Sequence, residues 1–159
     1  MIISTIVLPV LPKTLFSLAQ LVFWLLNLLS SLLGLFSSLY LIIVHDDMSQ
    51  NMIQPAELAD YIKKYCPIEY ISSFAYAYFA FEANGYWWVN TLSMPLFIYN
   101  CTRFIAKDHK QYFITKGEYK KNFSRMELQY QVKSVYYAFL FAIALVLTIF
   151  KAIDFFGLL

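Results

Sequence analysis

Charge is scarce in this sequence. Of 159 residues only 22 are Asp, Glu, Lys or Arg, 14%, where a soluble domain carries about 25%, and the deficit excludes an ordinary soluble globule. Cysteine is nearly absent too. Cys66 and Cys101 are the whole complement, too few for a disulfide framework; each lies beside an apolar stretch, which leaves juxtamembrane palmitoylation open for either. No Gly-rich phosphate loop, His-Glu-x-x-His, Gly-x-Ser-x-Gly or Cys-x-x-Cys occurs, so the common signatures of nucleotide, zinc, hydrolase and redox chemistry are missing. A net charge of +2 is too small to imply nucleic acid. Met1 to Pro12 lacks the basic start and small-residue cleavage site of a secretory signal, so the first span is expected to stay and to act as its own insertion signal.

What the sequence has instead is apolar length, with 60% of its residues hydrophobic. Residues 1–44, 67–102 and 134–150 together hold three charges, Lys13, Glu69 and Glu82, and the remaining segments hold nineteen. Such segregation places the apolar stretches in a bilayer. The reading is an all-α membrane protein, one domain over 1–159, with four transmembrane helices at about 15–44, 68–83, 86–105 and 134–150 and cytosolic loops at 45–66 and 106–133. Pro9 and Pro12 predict a short interfacial lead-in before the first span. Residues 70–104 can be read as one over-long helix or as two. Asn84-Gly85 is a turn signal, and Tyr86, Trp87 and Trp88 after it are interfacial anchors, so the second and third spans are expected to form a tight hairpin. Glu82 then reaches water at the membrane surface, and Pro95 falls inside the returning helix.

Counting Lys and Arg gives one before the first span, two in 45–66, eight in 103–133 and one after Phe150. Four spans put ten inside and two outside; three put nine and three, so the charge rule alone barely separates them. Both put 103–133 in the cytosol. The sequons Asn100-Cys101-Thr102 and Asn122-Phe123-Ser124 then fall at the membrane edge and in the cytosol, and neither should be glycosylated.

His45, Asp46 and Asp47 read as a solvated helix end rather than as metal ligands, because adjacent side chains diverge. His109 reads as a surface residue of a basic loop. Within the spans, Asn27 and Gln20 are the polar candidates, suited to interhelical hydrogen bonds; an intramembrane enzyme would need a fuller buried constellation than this. Gln54 to Cys66 reads as a short amphipathic helix with Pro55 in its first turn and Leu58, Tyr61, Ile62 and Tyr65 on one face, suited either to lie in the interface and tie two spans together or to bind a partner. Thr115 and Glu118 form a capping box opening a helix to Tyr130. Along it Tyr119, Phe123, Met126 and Tyr130 make an apolar stripe, and Lys120, Lys121 and Arg125 lie off it. The stripe suits either an interfacial helix on anionic lipid or a docking segment for a cytosolic partner.

Asp46-Asp47, Ile53-Gln54-Pro55-Ala56-Glu57-Leu58, Asn84-Gly85-Tyr86-Trp87, Pro95-Leu96 and Tyr99-Asn100, in this order, resemble the cornichon family over about residues 40 to 150. Resemblance implies a cargo receptor of the early secretory pathway. Such proteins bind transmembrane cargo in the endoplasmic reticulum and link it to the cargo-adaptor subunit of the COPII coat, cycling through the early Golgi; some relatives are auxiliary subunits that stay with a channel. It further implies no enzymatic activity, no cofactor, no metal, no nucleic acid, no small-molecule substrate, and four spans in the lipid bilayer with both termini lumenal. Its signature residues here are Pro55, Glu57, Asn84, Gly85, Trp87, Pro95, Tyr99 and Asn100. Fungal members carry a coat-binding pentad that falls on Tyr119, Lys120, Lys121, Asn122 and Phe123. Lys121 and Asn122 keep its basic and polar positions, whereas Tyr119 and Phe123 replace aliphatics and Lys120 replaces an aromatic. Gln54 also stands for the usual Asn, Ala59 for a frequent Cys, Pro67-Ile68-Glu69 for a Pro-Glu pair, and Ser72, Ser73 and Phe74 occupy the region of a family histidine.

Overall fold

A computed structural model describes residues 13–50, 52–82, 87–106 and 116–157, with side chains left undescribed at 13, 14, 55 and 116–125. The described chain is four helices: α1 (Lys13–Ser49), α2 (Pro55–Glu82), α3 (Trp87–Ile105) and α4 (Lys116–Phe156). By length and composition α1, over Leu15–Ser49, and α4, over Met126–Phe156, are able to cross a membrane; α2 and α3 do not reach that measure. At 1.5 Å per residue α1 and α4 are about 55 and 60 Å long, far more than the roughly 30 Å of hydrocarbon in a bilayer.

Two separations expected from sequence are absent. The amphipathic segment 54–66 and the stretch after it are one helix, with Pro67 inside it. Pro67 removes one N–H from the ladder and its ring crowds the carbonyl of Lys63, a local cost that the packing of this helix outweighs. The helix opened near residue 116 likewise runs on without a break into the apolar stretch 134–150. In both places the amphipathic half packs on α1, so the helix has no reason to end where hydropathy changes. The break between the second and third apolar segments is real, since α2 ends at Glu82 and α3 begins at Trp87. The pairs Phe74–Phe97 (5.9 Å) and Tyr70–Phe104 (5.6 Å) run in opposite directions along the two helices, as a hairpin requires. Asn84, Gly85 and Tyr86 themselves lie outside the described residues, as do Met1 to Pro12, His109 and Thr115.

α1 is the central helix, packing most extensively on α4 and α2, whereas α3 packs chiefly on α2. Small residues on α1 permit this. Ser30, Ser31, Gly34, Ser37 and Ser38 lie on its inner side, and each serine donates its hydroxyl to a carbonyl of α1 itself, leaving a narrow surface with satisfied polar groups. At Gly34 a Cβ would come within 2.2 Å of the Tyr137 ring. Asn27, in the amide orientation its neighbours require, donates to Tyr76 O (2.9 Å) and accepts from Ala80 N–H (3.1 Å), the interhelical role expected of it. Gln20 is half-buried.

α2 and α4 touch through side chains at a nearly constant offset: Cys66 with Tyr130, Glu69 with Lys133, Ser72 with Tyr137, and Tyr76 with Leu140. A constant offset means two helices parallel and in register. α1 runs antiparallel to both, as Phe23–Phe79 and Tyr40–Tyr61 show for α2. Two hydrophobic clusters result. One is built around Trp24, Tyr76, Tyr137 and Leu140 with Val89 and Leu96 from α3; the other, around Leu41, Ile62, Cys66 and Tyr130, draws on α1, α2 and α4 alone.

Candidate functional site

Between the two clusters lies a buried polar layer. Glu69 of α2 has no exposed surface and Lys133 of α4 is 3% exposed, and the two form an ion pair. The Lys133 ammonium also stands over the rings of Tyr130 (5.1 Å) and Tyr99 (5.5 Å), where the negative faces of the rings offset part of its lost hydration. Tyr137, one helical turn along α4, donates its hydroxyl to Glu69 O (3.0 Å) and accepts from Asn100 Nδ2 (3.3 Å). Ser72 lies 3.4 Å from the same oxygen. Arg103, buried in the last turn of α3, donates to the Tyr99 hydroxyl at 3.4 Å.

The layer exists because three helices present long polar side chains at one level while α1 presents Gly34 there. α2 and α4 meet across it through side-chain reach rather than backbone contact. A buried pair of this kind adds little net stability over apolar packing, but removing one partner leaves a charge uncompensated, at a cost of about 3–5 kcal/mol. The acid and the base neutralise each other, and the Tyr137 hydroxyl is engaged with a backbone carbonyl and an amide. The arrangement is a cross-brace among α2, α3 and α4. Among the described residues no set of three or more His, Cys, Asp or Glu gathers as a metal site.

Several sequence expectations change here. Glu69 and Lys133, taken as a span opening and a cytosolic loop charge, are the centre of the buried layer. They are the constellation that the apolar stretches seemed to lack. Asn100 also faces inward, 1% exposed and bonded to Tyr137. His45 is no solvated cap: it is fully buried, hydrogen-bonded from Nδ1 to Leu41 O at 2.9 Å and packed on the Tyr130 ring at 5.1 Å. α1 continues to Ser49, which puts His45 on its inner face, with Asp46 exposed beside it. Glu82, expected to reach water, is 8% exposed.

The signature residues divide by role. Pro55 opens α2, and Glu57 accepts the Gln54 backbone N–H at 3.2 Å, one half of a capping box. Trp87 begins α3 and is exposed, and Pro95 lies exposed within the same helix. Tyr99 and Asn100 join the polar layer. Asn84 and Gly85 lie outside the described residues. Tyr119, Lys120, Lys121, Asn122 and Phe123 are on the first turns of α4, and their side chains are not among those described. The other half of their stripe is: Met126 (5% exposed) and Tyr130 (1%) are buried in the second cluster. The stripe is therefore partly core.

Sequence reasoning missed Lys133, Tyr137, Tyr76 and Gly34. Glu69 carried a signal, since an ionisable residue in an apolar run asks for a named partner. The 64-residue offset to that partner is visible only in the folded chain.

An all-helical bundle with two helices long and apolar enough to span a membrane and a charge pair sealed at its centre has the build of a small membrane protein. Residues 21–146, most of the chain, match the cornichon protein family, and the chain belongs to that family, one of trafficking and auxiliary proteins. No curated protein and no solved structure matches it.

Proposed function

We propose that this protein is a cargo receptor that carries transmembrane proteins out of the endoplasmic reticulum in COPII vesicles. The observation that carries the reading is the family match across the bundle. In this reading all four helices cross the bilayer, residues 106–133 are cytosolic, both termini are lumenal, and the protein cycles between the endoplasmic reticulum and the early Golgi. The parallel register of α2 and α4, with α1 antiparallel to both, supports four alternating crossings. Clients pack laterally against the bundle, where van der Waals fit and a few hydrogen bonds select among helices because lipid competes for purely apolar contact.

The continuity of α4 supplies a mechanism. Residues 119–123 sit on the same helix as Lys133 and Tyr137, about 15 Å away at 1.5 Å per residue. A coat contact made there is thus rigidly joined to the layer that braces α2 and α3. The test is packaging into COPII vesicles budded from isolated membranes, comparing wild type with Tyr119→Ala plus Phe123→Ala. Loss of packaging in an inserted double variant supports the coat signal at 119–123. Packaging unchanged by the mutation places the signal elsewhere, and no packaging of wild type favours an auxiliary subunit that remains with its partner. Glycosylation at Asn122 would overturn the orientation.

A further inference from the structure

The chain has two histidines. His109 lies outside the described residues, whereas His45 has no exposed surface and sits where α1 meets Tyr130 of α4. Its hydrogen bond fixes the tautomer. The Leu41 carbonyl can only accept, so Nδ1 carries the hydrogen of the neutral ring. Protonation adds a charge and a second hydrogen at Nε2, an atom sealed from solvent. The surroundings oppose that charge. Burial pushes His45 below the usual histidine range, and the Leu41 carbonyl only partly offsets it. From α4 the Tyr130 ring faces His45 at 5.1 Å, and the same ring already carries the Lys133 ammonium at 5.1 Å, so a second cation there meets repulsion. From α2 the Cys66 thiol comes to the Tyr130 hydroxyl at 3.6 Å, while Glu57, Asp60, Lys63 and Lys64 of that helix are exposed. On α1 itself the Asp46 carboxylate is exposed and accepts from Ser49 and Gln50, and Asp47 beside it is half-buried.

We propose that His45 is an acid-sensitive latch between α1 and the first half of α4, whose hold weakens as the cytosol acidifies. The proposal rests on the reading that residues 106–133 are cytosolic. Linkage sets its sign. When the α1–α4 junction opens, His45 meets water and regains the ordinary histidine affinity for a proton, with a midpoint near pH 6.5. The opened form therefore binds the proton more tightly than the closed one. Closure is favoured above about pH 6.5 and loses ground below it. From about pH 7.5 to about pH 5.5 the opening equilibrium shifts roughly tenfold, the limit for one group of ordinary affinity that stays neutral in the closed form. Residues 119–123 lie on the half of α4 that is freed. The coat contact proposed there is joined firmly to the bundle at neutral pH and loosely in acid.

The full chain in phosphatidylcholine nanodiscs, where both faces meet one buffer, tests the latch without reference to orientation. Histidine labelled with carbon-13 gives two ring signals, and His109→Gln removes one of them. The His45 signal is expected to titrate below the ordinary midpoint of about 6.5. Amide exchange over residues 126–133, corrected for its intrinsic pH dependence, should rise roughly tenfold from about pH 7.5 to about pH 5.5. His45→Phe keeps a ring against Tyr130 and removes the titration, so its exchange should be indifferent to pH. His45→Gln, uncharged and slimmer, gives the same reading where a phenyl ring does not fit. A His45 signal that titrates at or above the ordinary midpoint, wild-type exchange over 126–133 that ignores pH, or a pH dependence that survives both substitutions overturns the latch. Packaging into COPII vesicles at about pH 7.2 and about pH 6.2, scored against an unrelated cargo, then reads the consequence: wild type should lose more than His45→Phe. Equal losses overturn the regulatory role. No packaging of either chain at neutral pH overturns the receptor reading instead, and the exchange measurement still decides the latch.

Discussion

The two hydrophobic clusters of the bundle are made of similar side chains but face different surroundings. Around the cluster of Trp24, Tyr76, Tyr137 and Leu140 the outer surface is apolar, with Leu25, Leu29, Phe74, Val146 and Ile149 all exposed. Around the cluster of Leu41, Ile62, Cys66 and Tyr130 it carries Asp46, Glu57, Asp60, Lys63, Lys64 and Gln131, although Leu128 and Val132 continue the apolar face of α4. On the proposed reading that all four helices cross a bilayer, the first is the core of the membrane bundle and the second the core of a small water-facing one. They share three helices and are separated by the Glu69–Lys133 layer. The driving forces therefore differ along a single helix. In the second cluster burial removes apolar surface from water, whereas in the first lipid competes for the same contacts and shape alone selects.

The largest expected effect lies in the layer between them. Lys133→Met should lower the stability of the purified protein in detergent by about 3–5 kcal/mol, since Glu69 keeps its burial and loses its counter-charge. Glu69→Gln combined with Lys133→Met should recover most of the loss. A double variant no more stable than the single one would mean that the charges do not act as a pair. Next comes the contrast itself. Ile62→Ala should cost about 2–5 kcal/mol, the usual range for a water-driven core, and Leu140→Ala less, because lipid or detergent chains can cover what is exposed. Equal losses in thermal unfolding would erase the distinction between the clusters. Smaller again, Gly34→Ala should cost about 1–3 kcal/mol as the new methyl forces the Tyr137 ring away, with Gly34→Ser no better.

The sequence displayed the helices more clearly than their meeting points. Periodicity and charge segregation mark four apolar segments and two amphipathic ones, and Asn84-Gly85 marks the break between Glu82 and Trp87. The stops expected near Cys66 and between Tyr130 and Ser134 were misplaced because hydropathy reports a helix's surroundings and not its continuity: α2 and α4 pass from a water-facing core to an apolar one without changing backbone geometry. His45 was misread for a related reason. Beside two aspartates it looks solvated, yet its side chain points to Tyr130 of a helix 85 residues away. Tyr99 and Asn100 were legible as family residues, and only the fold shows that they hold Lys133 and Tyr137.

The smallest effect bears on what the polar layer is for. Tyr137→Phe keeps the ring that packs on Gly34 and removes only the hydroxyl, so its cost should be about 0.5–1.5 kcal/mol, that of a modest hydrogen bond. The loss is shared by Glu69 O, which retains the Ser72 hydroxyl at 3.0 Å as a donor, and by Asn100, whose Nδ2 loses its acceptor. With that acceptor gone the Asn100 amide can turn, exchanging the places of its nitrogen and its unpartnered oxygen. The variant should then unfold nearly as wild type does, and amide chemical shifts of Asn100 labelled with nitrogen-15 would report the turn. A large loss of stability with no change at Asn100 would make the hydroxyl part of the brace between the two cores. A small loss with a turned amide would make it the element that sets the orientation of the Asn100 amide.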